Sequence, residues 1–267
     1  MKDPTDITRS ISSLLQSLVE DGSLAVVVTL MAAPGNVGAK MVLEAQGTHH
    51  GSFGNEALDA AAIRQARVFL VSKEETRSLY GREFAPELGE FSEAQFLFEL
   101  IQPEQRLVIC GAGHVGASLA RLAALLGYRA TIIDDRKEFV NREDFPEANI
   151  NTILAESWSD AARAAVGHGR GVSVCIVTRG HSEDEQCLRA VLTASDPDYV
   201  GLIGSKRRTR IVLERLREAG ISDAQLKRVH APIGLDIGAV TPEEVALAII
   251  AEIVAVRRGG SGGSLSS

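Results

Sequence analysis

Three scarcities narrow the reading of this chain before any motif is considered. Its 267 residues include only three cysteines, Cys110, Cys175 and Cys187. None lies close to another in sequence, so neither a disulfide framework nor a metal-ligand spacing is present. Cys110 and Cys175 fall inside apolar runs and read as packed core thiols. Basic charge is also short, with 28 Lys and Arg against 35 Asp and Glu and a formal net charge of −7. Phosphate-backbone binding relies on clustered Lys and Arg, so a nucleic-acid partner is not expected, the one basic cluster being Lys206-Arg207-Arg208-Thr209-Arg210. No apolar run reaches the roughly 18 residues that a membrane span needs, and no basic-plus-apolar leader opens the chain. The expectation is a cytoplasmic protein without a membrane partner.

What the chain does hold is an ordinary globular composition, 45% hydrophobic and 24% charged, at a length that suggests two domains. Its centre is the stretch from Arg106 to Arg136. An apolar run (Leu107, Val108, Ile109, Cys110) leads into Gly111-Ala112-Gly113-His114-Val115-Gly116, then an Ala/Leu-rich helical segment, then a second apolar run ending in Asp134-Asp135. This pattern predicts a β-α-β unit of the dinucleotide-binding, Rossmann type. Gly111 permits the tight turn, Gly113 lets backbone approach a phosphate, and Gly116 lets helix and strand pack closely. The helix N-terminus, at His114 and Val115, would face the anion. Asp134 follows Gly113 at about the 20-residue interval of the acid that accepts from a ribose hydroxyl.

Before this unit, the pattern predicts a helix capped by Asp6 or Thr8 and closed by Asp21-Gly22. A buried strand over Leu24–Met31 follows, then a strand over Lys40–Glu44, a solvated turn at His49-His50, and a helix over Glu56–Ala66. A metal at His49-His50 is disfavoured, because successive strand residues point to opposite faces and no third ligand is near. Val68–Val71 reads as a short strand and Ser72–Glu90 as an irregular junction. After the unit, strands are expected at Ile150–Leu154, Val172–Thr178 and Tyr199–Ile203, and a helix with a Thr-Pro-Glu-Glu capping box over Pro242–Val256. The carboxyl ends of these strands carry two further candidates. His181 and Asp184 form a weak acid/base pair, and Gly204-Ser205-Lys206 at a helix start is a second anion site.

The expected fold is therefore α/β, a C-terminal Rossmann-like parallel sheet with a smaller N-terminal α+β domain. The boundaries are an N-terminal domain over 1–95, a linker over 96–105, the Rossmann domain over 106–258, and a Gly/Ser-rich disordered tail over 259–267.

Three stretches taken together resemble the xanthine dehydrogenase accessory factor family, the XdhC/CoxI type. They are Gly111–Gly116 with Asp134-Asp135-Arg136; Tyr199-Val200-Gly201-Leu202-Ile203-Gly204-Ser205-Lys206; and His230-Ala231-Pro232-Ile233-Gly234-Leu235-Asp236-Ile237-Gly238 ahead of Thr241-Pro242-Glu243-Glu244. The resemblance implies a maturation factor and not a dehydrogenase, a molybdenum cofactor chaperone sooner than an enzyme. It would protect a molybdopterin-type cofactor during sulfuration with a cysteine desulfurase. It would then deliver the cofactor to a molybdenum hydroxylase such as xanthine dehydrogenase, working as a homodimer. The cofactor-binding positions it implies are Gly111, Gly113, His114, Val115, Gly116, Asp134, Asp135, Gly204, Ser205 and Lys206. No metal ligand is assigned.

The N-terminal half looks like the same family, eroded. Ala33-Pro34 and Gly38-Ala39-Lys40-Met41 match, but Gly35 stands where an arginine is usual. In the loop Gly51–Asp59, Ala57 occupies the place of a frequent cysteine, and Asn55 and Glu56 replace glycines. An alanine neither ligates molybdenum nor carries sulfur. Two other readings of the residues stay open. One is an NAD-dependent oxidoreductase, with Asp134 on the adenosine ribose and NAD(H) as cofactor. The other is a nucleotide-sensing domain in which binding alone matters.

Overall fold

The computed structural model describes residues 4–20, 23–72, 74–102, 104–167 and 171–266, with the backbone alone for 4–10 and 20. The chain divides into two units, Met1–Pro103 and Glu104–Ser267.

The first unit runs α1 (Pro4–Glu20), β1 (Ala25–Ala32), β2 (Lys40–Glu44), β3 (His49–Gly51), α2 (Glu56–Val71), β4 (Thr76–Tyr80), the short α3 (Gly81–Phe84) and β5 (Gln95–Ile101). Its strands form one antiparallel sheet in the order β3-β2-β1-β5-β4. β1 reads as an unbroken apolar run because it is covered on both faces. Val26, Val28 and Leu30 join Leu58, Ala62 and Phe69 of α2, while Ala25 and Val27 meet Ile11 and Leu18 of α1. Phe84 stands edge-on to Phe96 and Phe98, at ring separations of 5.1 and 5.6 Å.

The second unit runs β6 (Arg106–Cys110), α4 (His114–Leu125), β7 (Arg129–Asp134), β8 (Ile150–Leu154), α5 (Trp158–Val166), β9 (Val172–Ile176), α6 (His181–Ala194), β10 (Tyr199–Leu202), α7 (Lys206–Glu218), α8 (Asp223–Leu226), β11 (Val229–His230) and α9 (Pro242–Arg258). The six strands are parallel and ordered β11-β10-β9-β6-β7-β8. This is the doubly wound arrangement of a Rossmann domain, with the reversal of order between β6 and β9. α4 and α9 cover one face through Leu119, Ala123, Ile249 and Ile253. α5, α6 and α7 cover the other through Ala162, Leu188 and Val212. Among the described residues no helix is long and apolar enough to cross a membrane.

The α/β class and the Rossmann strand order match the expectation; several elements of the first unit do not. α1 starts at Pro4, ahead of the expected cap at Asp6 or Thr8, and the expected stop at Asp21-Gly22 lies outside the described residues. Val68–Val71 is not a strand but the last turn of α2, where Phe69 is buried while Val68 and Val71 are exposed. The polar stretch expected to be irregular contains β4, an edge strand with only Leu79 buried. Residues 96–105 are not a linker: most of them form β5, paired with both β1 and β4, so the first unit needs them to complete its sheet. His49 and His50 are not a turn either; they pair with Leu43 and Val42, and His50 Nε2 lies 2.8 Å from Glu44. Beyond Arg258, residues 259–266 hold no helix or strand.

Candidate functional site

Parallel sheets bind ligands outside the carboxyl ends of their strands, where the order reverses. A cavity of about 480 Å³ lies there, lined by the turn after β6, the ends of β7 and β9, and the starts of α4, α5 and α9.

The glycine turn builds one wall. Gly111 has φ +115°, and a Cβ there would lie 2.5 Å from the Val177 carbonyl oxygen. A Cβ on Gly116 would lie 1.9 Å from the Gly111 carbonyl oxygen, so α4 rests directly on the turn. Gly113 is different: its φ is −64°, and a Cβ would meet nothing within 4 Å. It is the N-cap of α4 and offers no side-chain oxygen to the helix. The first N–H groups of a helix have no partner within it, so those of His114, Val115 and Gly116 are left for an anion.

The charge opposite comes from three arginines, Arg136, Arg179 and Arg208, all on the cavity wall. Each is held by a carboxylate. Arg136 donates from Nε and Nη2 to Asp134 at 2.8 and 3.0 Å, and its guanidinium sits 3.6 Å above the Phe139 ring. Arg179 forms a bidentate pair with Asp135 at 2.9 and 3.0 Å, tying the end of β9 to the end of β7. Arg208 donates to Asp184 at 2.6 Å, and Thr178 donates to the other oxygen of the same carboxylate at 2.6 Å. Gly204 packs beside the last pair: its φ is +144°, and a Cβ there would lie 3.1 Å from Arg208 Cδ. Arg208 Nε and the indole Nε1 of Trp158 are buried donors with no partner among the described residues. Trp158 is fixed as the first residue of α5 by the Ser157 cap, which accepts from Asp160 N.

Asp134 and Asp184 are both buried yet shift in opposite directions. Burial pushes Asp134 up, but the bonds from Arg136 and the backbone N–H of Ala112 outweigh it and hold the carboxyl below its ordinary value. For Asp184 burial prevails over the bonds from Thr178 and Arg208, and its value rises. Four donors against two account for the difference.

Of the residues singled out in the sequence, Gly111, Gly113, His114, Val115, Asp134 and Gly204 line the cavity. Gly116 supports it from behind. Asp135 is turned to Arg179, and Ser205 caps α7 by accepting from Arg208 N at 3.2 Å. Lys206 and His181 are exposed first residues of α7 and α6 and do not line the cavity. Asp184 bonds to Thr178 and Arg208. Sequence reasoning missed Arg136, Arg179, Arg208, Thr178 and Trp158 as a set. The one signal available was that each arginine follows a strand end by a few residues.

Behind the cavity, Glu252 of α9 ties the third motif together. It accepts from the Tyr199 hydroxyl, from Gly234 N at 2.8 Å, and pairs with His230 Nδ1 at 3.3 Å. Tyr199 stacks on His230 at 4.6 Å, over Gly201, where a Cβ would lie 2.9 Å from the Tyr199 hydroxyl. Burial raises Glu252, but the bonds from His230, Tyr199 and Gly234 bring it below its ordinary value. The Ala231–Pro232 peptide is cis. α9 then starts at Pro242, on the cavity wall, with Thr241 and Glu244 completing the capping box.

In the first unit, the loop Gly51–Asp59 is held by bonds within it, and Asn36 donates to its Phe53 carbonyl at 3.0 Å. Asp59 accepts from Ser52 Oγ at 2.6 Å and Phe53 N at 2.8 Å, and Asn55 caps α2 by accepting from Leu58 N at 3.0 Å. Ala57 is exposed in the first turn. The three cysteines are buried and free. Burial raises Cys175, and a hydrogen bond with Cys110, then burial, raises Cys187. Among the described residues no cluster of His, Cys, Asp and Glu could hold a metal ion.

Comparison with known proteins decides the relationship. Residues 107–253 match the model of the XdhC Rossmann domain, and residues 18–81 match that of the XdhC and CoxI family. The chain belongs to the XdhC and CoxI family. An uncharacterised Escherichia coli relative, YqeB, is 31% identical over 230 residues, 84% of this chain and 41% of that protein. A Bacillus subtilis relative, named as a probable subunit of xanthine dehydrogenase, is 29% identical over 173 residues, 64% of this chain and 49% of that one. The molybdenum cofactor insertion chaperone PaoD of Escherichia coli is 27% identical over 156 residues, 58% of this chain and 41% of that one. The aligned stretches thus take in less than half the length of each of these relatives. The crystal structure of a Bacillus halodurans xanthine dehydrogenase aligns over 95% of this chain and 97% of that one with a TM-score of 0.52 at 19% identity, a likeness of fold.

Proposed function

We propose that this XdhC/CoxI-family protein is an accessory factor for a molybdenum hydroxylase such as xanthine dehydrogenase, and that its Rossmann cavity cradles the phosphate of a molybdopterin-type cofactor. One observation carries the reading: the uncapped N-terminus of α4 and three arginines line the same cavity, while the acids beside those arginines are already paired with them. Such a wall offers backbone and guanidinium N–H donors to an anion. The names of two relatives, one a molybdenum cofactor insertion chaperone and the other a component of xanthine dehydrogenase, agree with it.

In this reading Gly113 gives the phosphate access to the α4 N–H groups, and Arg208, positioned by Asp184 and Thr178, closes the opposite side. The molybdenum chemistry belongs to the bound cofactor. The chain's own part is to hold the phosphate and limit solvent access. Delivery to the hydroxylase, cooperation with a cysteine desulfurase and assembly as a homodimer in the cytoplasm belong to the same proposal. A sulfur-carrying role for this chain's own residues is not part of it, since Ala57 replaces the family cysteine and the three thiols are buried.

The test is an anaerobic titration of the purified chain with molybdenum cofactor. Saturable binding is expected, weakened at least about tenfold by Gly113→Leu, whose side chain would stand in the ligand's space. No binding to the unaltered chain overturns the proposal.

A further inference from the structure

The acid that ends β7 in a dinucleotide-binding unit accepts hydrogen bonds from the adenosine ribose. In this chain that acid has no acceptor position left. A carboxylate has two oxygens and about four lone-pair sites. Asp134 Oδ1 accepts from Arg136 N at 3.0 Å and Arg136 Nε at 2.8 Å. Asp134 Oδ2 accepts from Ala112 N at 2.8 Å and Arg136 Nη2 at 3.0 Å. The carboxylate side chain is 2% exposed beneath an arginine that is itself 30% exposed, so Arg136 stands between Asp134 and solvent.

Two further contacts keep the arginine there. Its guanidinium lies on the Phe139 ring at 3.6 Å, and Asp135 Oδ1 is 4.0 Å from its Nε. The bond from Ala112 also fastens the glycine turn to the same carboxylate, so a ribose diol would have to displace the guanidinium, which holds one acceptor site on each oxygen, while the backbone donors stay.

We propose that Arg136 is a specificity-determining residue: it closes the adenosine-ribose position of the Rossmann cavity and restricts the cradle to a ligand whose phosphate ends at α4, excluding NAD(H) and NADP(H). The phosphate end of this statement rests on the reading given under Proposed function; the closed adenosine end is tested without any molybdenum cofactor.

The experiment is calorimetric titration of NADH and NADPH into the full chain and into Arg136→Ser and Arg136→Gln. The unaltered chain is expected to bind neither more tightly than millimolar. Arg136→Ser uncovers Asp134 and should gain about 10- to 100-fold in NADH affinity, as expected for one or two hydrogen bonds to a charged acceptor. Arg136→Gln, which can return one amide donor to Asp134, should fall between the two. Adding Gly113→Leu to Arg136→Ser should abolish the gain, which places the dinucleotide in the glycine cradle. Micromolar NADH binding by the unaltered chain overturns the proposal. So does micromolar NADPH binding, which would mean that Arg136 swings out to a 2′-phosphate. No gain in either variant, or a gain that survives Gly113→Leu, also overturns it. Circular dichroism checks the fold; if Arg136→Ser does not fold, Arg136→Gln decides. None of these outcomes bears on cofactor binding by the unaltered chain, so the two proposals fail separately.

Discussion

Two glycine-containing loops, one in each unit, lead into helices and are built in opposite ways. In the second unit, Gly111–Gly116 is fastened from outside: Asp134, on the following strand, accepts from Ala112 N at 2.8 Å. The helix it opens is capped by Gly113, without a side-chain acceptor. In the first unit, Gly51–Asp59 is fastened largely from within, by Asp59 to Ser52 and Phe53 with Asn36 on the Phe53 carbonyl, and its helix is capped by Asn55. The first loop leaves the N–H groups of His114, Val115 and Gly116 without an acceptor, whereas the second caps its helix from its own side chain. A glycine-rich sequence alone does not make an anion cradle; what counts is whether the loop supplies its own acceptors.

The contrast can be broken most severely at Gly116. Gly116→Val forces a side chain onto the Gly111 carbonyl oxygen and should cost more than about 3 kcal/mol, read as loss of the cooperative transition in urea or a non-native circular dichroism spectrum. A native-like transition would show that α4 does not rest on the turn. Next comes Asp134→Asn, expected to cost about 1.5–3 kcal/mol at neutral pH by weakening the charge-assisted bonds that hold the turn. The folded value of Asp134 lies below its ordinary 3.8, so its stabilisation is fully present above that pH and is lost as pH falls through the folded value. The difference in stability between the unaltered chain and Asp134→Asn should therefore shrink below about pH 3.8. A difference that grows there would reverse the sign assigned to this carboxylate.

Asn55→Ala tests the loop of the first unit and should cost about 1 kcal/mol through the lost cap of α2. A change within about 0.3 kcal/mol would mean that the cap contributes less than its geometry indicates. The smallest stability effect belongs to Gly113→Leu, where φ is ordinary and space is open: about 0.5–1 kcal/mol, the cost of leucine in place of glycine at an N-cap, although the same change obstructs the cradle. A large destabilisation would show that the space is not free, and the ligand argument built on it would lose its support.

Most of the second unit was legible in the sequence. Its central strands β6, β9 and β10 are short apolar runs buried on both faces, its glycine turn has the spacing that a close helix requires, and its last helix announces itself with Thr241, Pro242 and Glu244. The first unit was less legible, because its evidence is non-local. β4 is a polar edge strand that its pairing to β5 defines, and the residues of β5 read as part of a linker until its two partners were in view. The run Val68–Val71 is apolar, yet helical phase puts two of its valines in solvent. At the site, the glycines were readable and the arginines were not. A sequence gives the position of Arg136 but not the direction of its guanidinium, and that direction decides whether Asp134 is an acceptor for a ligand or a group already satisfied.

Trp158 has a use apart from stability. It is the chain's single tryptophan, and it sits in the wall of the cavity. The indole emission of the entire protein therefore originates at the one place where the ligand is proposed to lie. A pterin absorbs in the region where an indole emits, so energy transfer to a bound pterin dims this signal, and occupancy can be followed optically in the unlabelled chain.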